Sequence, residues 1–372
     1  MKIAVVGPVY PYRGGIAHYT ALLAAHLAQQ HSIQVYTYSQ QYPARLYPGR
    51  SQLDPAPPLT EVEAQRWLIP WWPLTWRTVQ HDWAAWRPDV VVFQWWVPFM
   101  APMTTWLARS AHRLNSRVVM ICHNILPHER SWVDTTLAQM ALSKADQLIV
   151  HSQDECTRAR QLNLAGSIEV TSLPTYSAFG SVTWSQERAR AAIGIGGRVL
   201  LFFGLVRPYK GLSDLLDALP AVLAKFDVTL LVVGEIWGKS EPYRSRVKTL
   251  GLESRVRFVD RYVSNDEAAM YFAACDLAVL PYREATGSAV LQLAFGLGIP
   301  VVATRTGGMG EVVEDGVTGF LVEPGDVSGL SGAIERYFRE DRSSAFRQNI
   351  TRAADQFSWD KLITTILDST RE

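Results

Sequence analysis

Short apolar, β-branched runs alternate along the chain with stretches in which apolar positions recur every three or four residues. The runs KIAVVG (2–7), IQVYTY (33–38), VVVFQW (90–95), RVVMIC (117–122) and QLIVHS (147–152) read as buried strands. Between them, IAHYTALLAAHLAQQ (16–30) and TTWLARSAHRL (104–114) read as helices. A polar stretch followed by Gly194, Gly196 and Gly197 interrupts the pattern. It restarts with RVLLFFG (198–204), DVTLLVVG (227–234), RVRFVD (255–260), LAVLPY (277–282), PVVAT (300–304) and GFLV (319–322). Helical segments at 212–226 and 265–275 fall among these, and a last helix is expected at 360–370.

Strands this apolar need cover on both faces, which βαβ units supply by placing helices against a parallel sheet. The expected fold class is therefore α/β, with two Rossmann-like domains in series. Their spans are 1–178 and 198–355, with a linker over 179–197. The terminal segment 356–372 is long enough to cross back onto the first domain. Two such domains place their parallel sheets toward a central cleft, the expected ligand site, because strand ends and helix N-termini present backbone N–H groups there.

Composition narrows the function classes. A chain of 372 residues suits two domains, and a formal net charge of +1 argues against a nucleic-acid partner. Cys122, Cys156 and Cys275 are far apart and form no CxxC pair, so neither a disulfide framework nor a structural zinc site is expected. A reducing, cytoplasmic setting fits. Residues 1–15 read as a first strand rather than a signal peptide. Val90 to Ala108 carries no charge, yet Gln94, Pro98 and Pro102 make it a strand, a turn and a helix start rather than a membrane span.

Tryptophan is the unusual number. Of 13 in the chain, nine lie between Trp67 and Trp106: Trp67, Trp71, Trp72, Trp76, Trp83, Trp86, Trp95, Trp96 and Trp106. The same 64–117 segment holds Arg66, Arg77, Arg87, Arg109, Arg113 and Arg117. Peripheral contact with a membrane, at its inner face, is one reading of an aromatic and basic segment. Core aromatics with solvated arginines are the other. The Pro-containing part from Trp67 to Trp86 reads as an insertion.

Four motifs carry chemistry. Gly14-Gly15 lies between the first strand and helix, where two glycines allow close backbone approach to a phosphate. It is not GxGxxG, so a dinucleotide fingerprint is absent. In FFGLVRPYKG (202–211), Arg207 and Lys210 sit at the mouth of a strand, where two cations neutralise a diphosphate. In EATGSAVLQLAFGLGIPVVAT (284–304), Thr286, Gly287 and Ser288 precede an apolar helix and combine an N-cap with an anion site, with Glu284 available to ribose hydroxyls. The last, GGMGEVVEDGVTGFLVEPGD (307–326), is punctuated by glycines, with Glu311 expected to open a helix.

These blocks, from Gly14 to Asp326, resemble the retaining glycosyltransferases of the GT-B fold, in the large family that includes sucrose synthases and phosphatidylinositol mannosyltransferases. The resemblance implies donor binding mostly by the second domain and acceptor binding mostly by the first. It implies that Gly14 and Gly15 approach the donor diphosphate, that His123 lies next to the donor sugar as the catalytic candidate, and that Arg207 and Lys210 bind the diphosphate. It likewise implies donor contacts from Glu284, Thr286 and the amides of Gly287, Ser288 and Ala289. His18, Trp95 and His128 are the acceptor-side candidates.

The chain departs from the family pattern twice. The family shows Glu, seven residues, then Glu; counted from Glu284 the second position is Gln292, and counted back from Pro300 the pair is Ala285 and Leu293. The family Arg lies five residues before the Lys, where this chain has Leu205. The implied reaction is retaining transfer of a hexosyl group from a nucleotide-diphosphate sugar to a hydroxyl of a glycan or lipid-linked saccharide, as in polysaccharide biosynthesis. No cofactor and no metal are expected, since no Asp-x-Asp occurs. A sugar-nucleotide epimerase and a non-catalytic sugar-nucleotide-binding protein stay open as alternatives.

Overall fold

The structure, a computed structural model, describes residues 1–43, 47, 49–126, 131–176 and 183–368. They form two compact units: Met1–Ser172 with the segment from Ser358, and Leu173–Phe357.

The first unit runs β1 (Lys2–Val6), α1 (Gly15–Ala28), β2 (Ser32–Tyr38), β3 (Ala64–Leu68), α2 (Pro73–Trp86), β4 (Val90–Trp95), α3 (Ala101–His112), β5 (Arg117–Cys122), α4 (Trp132–Leu142), β6 (Gln147–Val150), α5 (Gln153–Gln161) and β7 (Ser167–Val170). The seven strands are all parallel, in the order β3-β2-β1-β4-β5-β6-β7. Every residue of β4 is buried, and so are Ile3 to Val6 of β1, because helices cover both faces. The order reverses between β1 and β4. Helices leaving those two strands diverge there, so the carboxyl ends of the strands open into a crevice.

The second unit runs α6 (Gln186–Ile193), β8 (Arg198–Phe203), α7 (Leu212–Leu223), β9 (Val228–Val233), α8 (Glu241–Thr249), β10 (Val256–Val259), α9 (Asn265–Ala274), β11 (Leu277–Leu280), α10 (Ala289–Gly296), β12 (Val301–Thr304), α11 (Gly307–Val312), β13 (Gly319–Val322), α12 (Val327–Arg339) and α13 (Ser343–Arg352). Its parallel sheet has the order β10-β9-β8-β11-β12-β13, with the reversal between β8 and β11. The last helix, α14 (Trp359–Asp368), belongs to the first unit. It packs on α1, and its carbonyls at Thr365 and Ile366 accept from Gln147 Nε2 and Arg117 Nη1, each at 3.0 Å.

Three expectations are corrected. The stretch from Trp67 to Trp86 is no insertion: it is the edge strand β3 and the helix α2, an ordinary part of the sheet layer. Trp76, Trp83 and Trp95 are buried in the core, while Trp67, Trp86, Trp96 and Trp106 pack against it, which leaves only Trp71 and Trp72 of the cluster exposed. The span 179–197 contains α6, which packs on α9; Arg190 donates to the Ala274 carbonyl at the end of α9 at 2.9 Å and pairs with Asp276, just before β11, at 2.7 Å, so this helix is structural in the second unit. Glu311 does not open a helix; α11 begins at Gly307, and Glu311 is its second-last residue.

Candidate active site

In the second unit the chemistry gathers at the sheet reversal, after β8 and β11. The turn after β8 places Arg207 ahead of a single helical turn, Pro208–Lys210. Arg283, just past β11, braces that turn: its N–H donates to the Tyr209 carbonyl at 2.7 Å, and its guanidinium forks onto the Asp214 carboxylate at 2.6 and 2.9 Å. Lys210 is folded inward and only 8% exposed, with Nζ 5.2 Å from the centre of the Tyr282 ring. Arg207 is exposed and lies over the Tyr209 and Trp237 rings at 5.3 and 5.4 Å. Neither cation pairs with a carboxylate among the described residues.

That arrangement is costly by itself. Taking an ammonium out of water costs several kcal/mol, and a cation–π contact returns only about 1–2 kcal/mol. Burial, and then the charge of Arg207, accordingly push the Lys210 pKa down. An anion beside Nζ would reverse the balance. At Gly204 φ is +97°, and a Cβ would come within 3.2 Å of both Lys210 Nζ and Val290 Cγ2. The absent side chain therefore leaves a space bordered by the lysine ammonium and by the first turn of α10.

Helix α10 is capped by Ser288, whose Oγ accepts from the Leu291 N–H at 3.2 Å. The positive end of its dipole thus faces the turn holding Thr286 and Gly287. The Thr286 carbonyl accepts from the Gly308 N–H at 3.1 Å, which joins this turn to the start of α11. Glu284 is exposed, and Thr286 and Ser288 are buried. Gln292, one turn into α10, was not among the predicted donor residues. It is 1% exposed, and its Oε1 has no hydrogen-bond partner among the described residues. The spacing from Glu284 was the signal for it.

In the first unit the polar residues again lie at the carboxyl edge beside the reversal. Gly14, with φ +110°, precedes α1, and no side chain caps that helix. Its first amides are left for another acceptor. His18, in the first turn of α1, is held neutral by burial, with Asp54 opposing. His123 follows β5. Its Nε2 lies 2.7 Å from Gln94 Oε1, and the Tyr19 ring meets it edge-on at 4.8 Å. His151, after β6, is 5.9 Å away and donates through Nδ1 to the Thr171 carbonyl at 2.9 Å. Burial first, then the nearby His151, pushes the His123 pKa down to about 3, and burial pushes that of His151 to about 4. Both rings are neutral at pH 7. Trp359 of α14 stacks on His26 at 5.4 Å and backs Tyr19 at 5.2 Å.

Trp95 is corrected from its predicted place on the acceptor surface. Its ring is buried, and Nε1 donates to the Ile125 carbonyl at 3.3 Å. The Ile125 N–H donates to the buried Glu155 carboxylate at 2.6 Å. Both backbone polar groups of Ile125 are thus held, which fixes the strand exit two residues beyond His123. A buried indole has no open face for a sugar ring. His128 lies outside the described residues.

Comparison with known proteins decides the family. The first unit matches the model described as Glycosyltransferase Family 4 over residues 13–172, and the second matches Glycosyl transferases group 1 over 197–340. The chain belongs to this glycosyltransferase family. A D-inositol 3-phosphate glycosyltransferase of Corynebacterium efficiens is 31% identical over 184 residues, covering 47% of this chain and 43% of that protein. Its counterpart in Corynebacterium glutamicum is 26% identical over 299 residues, covering 73% and 69%. The match spans about half the length of the first of these curated relatives. Two solved GT-B structures share the fold. Sucrose-phosphate synthase from Thermosynechococcus elongatus superposes with a TM-score of 0.77 at 20% identity, covering 100% of this chain and 98% of its own. Anabaena HepE, solved in complex with UDP, gives 0.76 at 21%, covering 100% and 99%.

Proposed function

We propose that this glycosyltransferase moves a sugar from a nucleotide-diphosphate donor to an acceptor hydroxyl with retention and without a metal. The observation that carries the reading is the buried Lys210, which pairs with no carboxylate among the described residues, beside Gly204 and the start of α10. That site is built for the charge of a diphosphate, the leaving group of such a reaction. In the proposed step the bond from the anomeric carbon to the diphosphate oxygen breaks, and its electron pair leaves with the diphosphate. The acceptor oxygen forms the new bond on the same face, and its proton passes to the departing diphosphate oxygen. Lys210, Arg207 and the α10 N-terminus stabilise the growing charge. His123 serves the transferred sugar as a neutral imidazole.

The first unit is proposed as the acceptor side. The curated relatives are named for inositol 3-phosphate, a small anion. This chain has another surface: every large apolar side chain exposed among the described residues lies in the first unit. Trp71, Trp72 and Leu74 lie at the start of α2, and Trp132 and Val133 at the start of α4. Apolar residues at helix starts on one sheet edge favour a lipid-linked saccharide, reached by peripheral contact with the inner face of a membrane. Among the described residues no helix is long and apolar enough to cross a membrane.

The experiment is incubation with a panel of UDP-, GDP- and ADP-sugars, with and without excess chelator, following free nucleotide diphosphate. Release that persists in chelator is expected. An epimerised donor without release, or binding without turnover, would replace the reading, and activity restored only by manganese would remove its metal-independent part.

A further inference from the structure

We infer that Gln94 is a positioning residue for His123, holding the imidazole as the neutral tautomer protonated at Nε2. The inference rests on the proposed role of His123, but its geometry stands apart from it. Gln94 is the fifth residue of β4 and is 5% exposed, on a strand otherwise composed of Val, Phe and Trp. A leucine would suit that layer. Instead the amide crosses to the neighbouring strand end, and its Oε1 stands 2.7 Å from His123 Nε2. A carbonyl oxygen only accepts, so the histidine donates from Nε2, and Nδ1 becomes the accepting atom of the ring.

Two further observations show that the placement is built. Gly7, at the end of the adjacent β1, has no room for a side chain: a Cβ there would fall 2.5 Å from Gln94 Cγ and 3.1 Å from Thr20 Oγ1. The first strand therefore gives way to the glutamine. The other end of the amide gains nothing by the arrangement, since Gln94 Nε2 is buried with no hydrogen-bond partner among the described residues. A group kept buried while half its hydrogen-bonding capacity is unused is explained by the contact it does make. Tyr19 sets the plane of the His123 ring from one side, and Gln94 sets its rotation and proton.

Gln94 holds the ring in one protonation geometry through an amide rather than a carboxylate. Glutamate in place of Gln94 would also accept from Nε2 but would draw a proton onto the ring. The amide fixes the tautomer and leaves the imidazole neutral.

The test is long-range 15N–1H NMR on the full chain labelled at histidine, with His123 assigned by its loss in His123→Ala. The wild type is expected to show His123 protonated at Nε2. Gln94→Leu is expected to shift it to a mixture or to the other tautomer, with kcat lowered roughly 10-fold and the donor KM little changed. Gln94→Glu is expected to keep the Nε2–H form and to raise the pH at which His123 protonates. An Nδ1-protonated wild type overturns the inference, as does an unchanged His123 spectrum in Gln94→Leu. If Gln94→Leu does not fold, the wild-type tautomer and the Gln94→Glu titration still decide. Full activity in His123→Ala would remove the proposed role of the histidine, and the spectra would still report whether Gln94 governs its tautomer.

Discussion

At the scale of single residues, the first unit uses neutral histidines. His123 and His151 have pKa values pushed down by burial to about 3 and 4, below the value near 6.5 of an unfolded chain. As pH falls through 6.5, the unfolded state takes up protons that the folded rings refuse. Folding stability is therefore complete above that pH and is lost as pH drops toward 4, by up to about 1.4 kcal/mol per pH unit for each ring. The midpoint of thermal unfolding should fall between pH 6.5 and 5, and His151→Gln should flatten that fall. Over pH 6–8, kcat/KM should show no inflection from His123. A histidine inflection near pH 6.5 that disappears in a His123 variant would show the ring to be solvated instead.

At the scale of elements, what the sequence revealed depended on how evenly each one is buried. Strands such as VVVFQW are buried throughout and apolar at every position but one, and they stand out. The edge strand β3, AQRWL, is mostly half-exposed and carries Arg66, so no run marks it. Helix α5, QDECTRARQ, buries only Glu155, Cys156 and Ala159 and reads as polar. The glycine and lysine motifs were legible because their chemistry is local to a turn. The functions of Gln94, Trp95 and Glu155 were not, because each acts on a neighbouring strand or its exit loop. The helix starts supply their own prediction. Trp72 is 53% exposed and Trp132 is 81% exposed, far above the buried Trp76 and Trp83. Trp71→Ser with Trp72→Ser should reduce co-sedimentation with anionic liposomes and leave the unfolding temperature within a few degrees, since neither ring is in the core. Equal recovery of wild type and variant in the pellet would contradict a membrane role for this end of α2.

At the scale of the whole molecule, the two units repeat one plan with different chemistry. Each is a parallel sheet whose strand order reverses once, and each gathers polar residues at the carboxyl edge beside that reversal. The second unit supplies cations and a helix N-terminus, which suit a diphosphate. The first supplies neutral imidazoles, an uncapped helix start and an apolar rim, which suit a sugar hydroxyl and an amphiphilic acceptor. The central claim is that a nucleotide diphosphate binds the second unit through Lys210. Calorimetric titration of the full chain with UDP, GDP and ADP tests it most directly. One diphosphate should bind the wild type best, and Lys210→Ala should weaken it by about 1.5–3 kcal/mol while the protein stays folded. An affinity unchanged by Lys210→Ala would contradict the account.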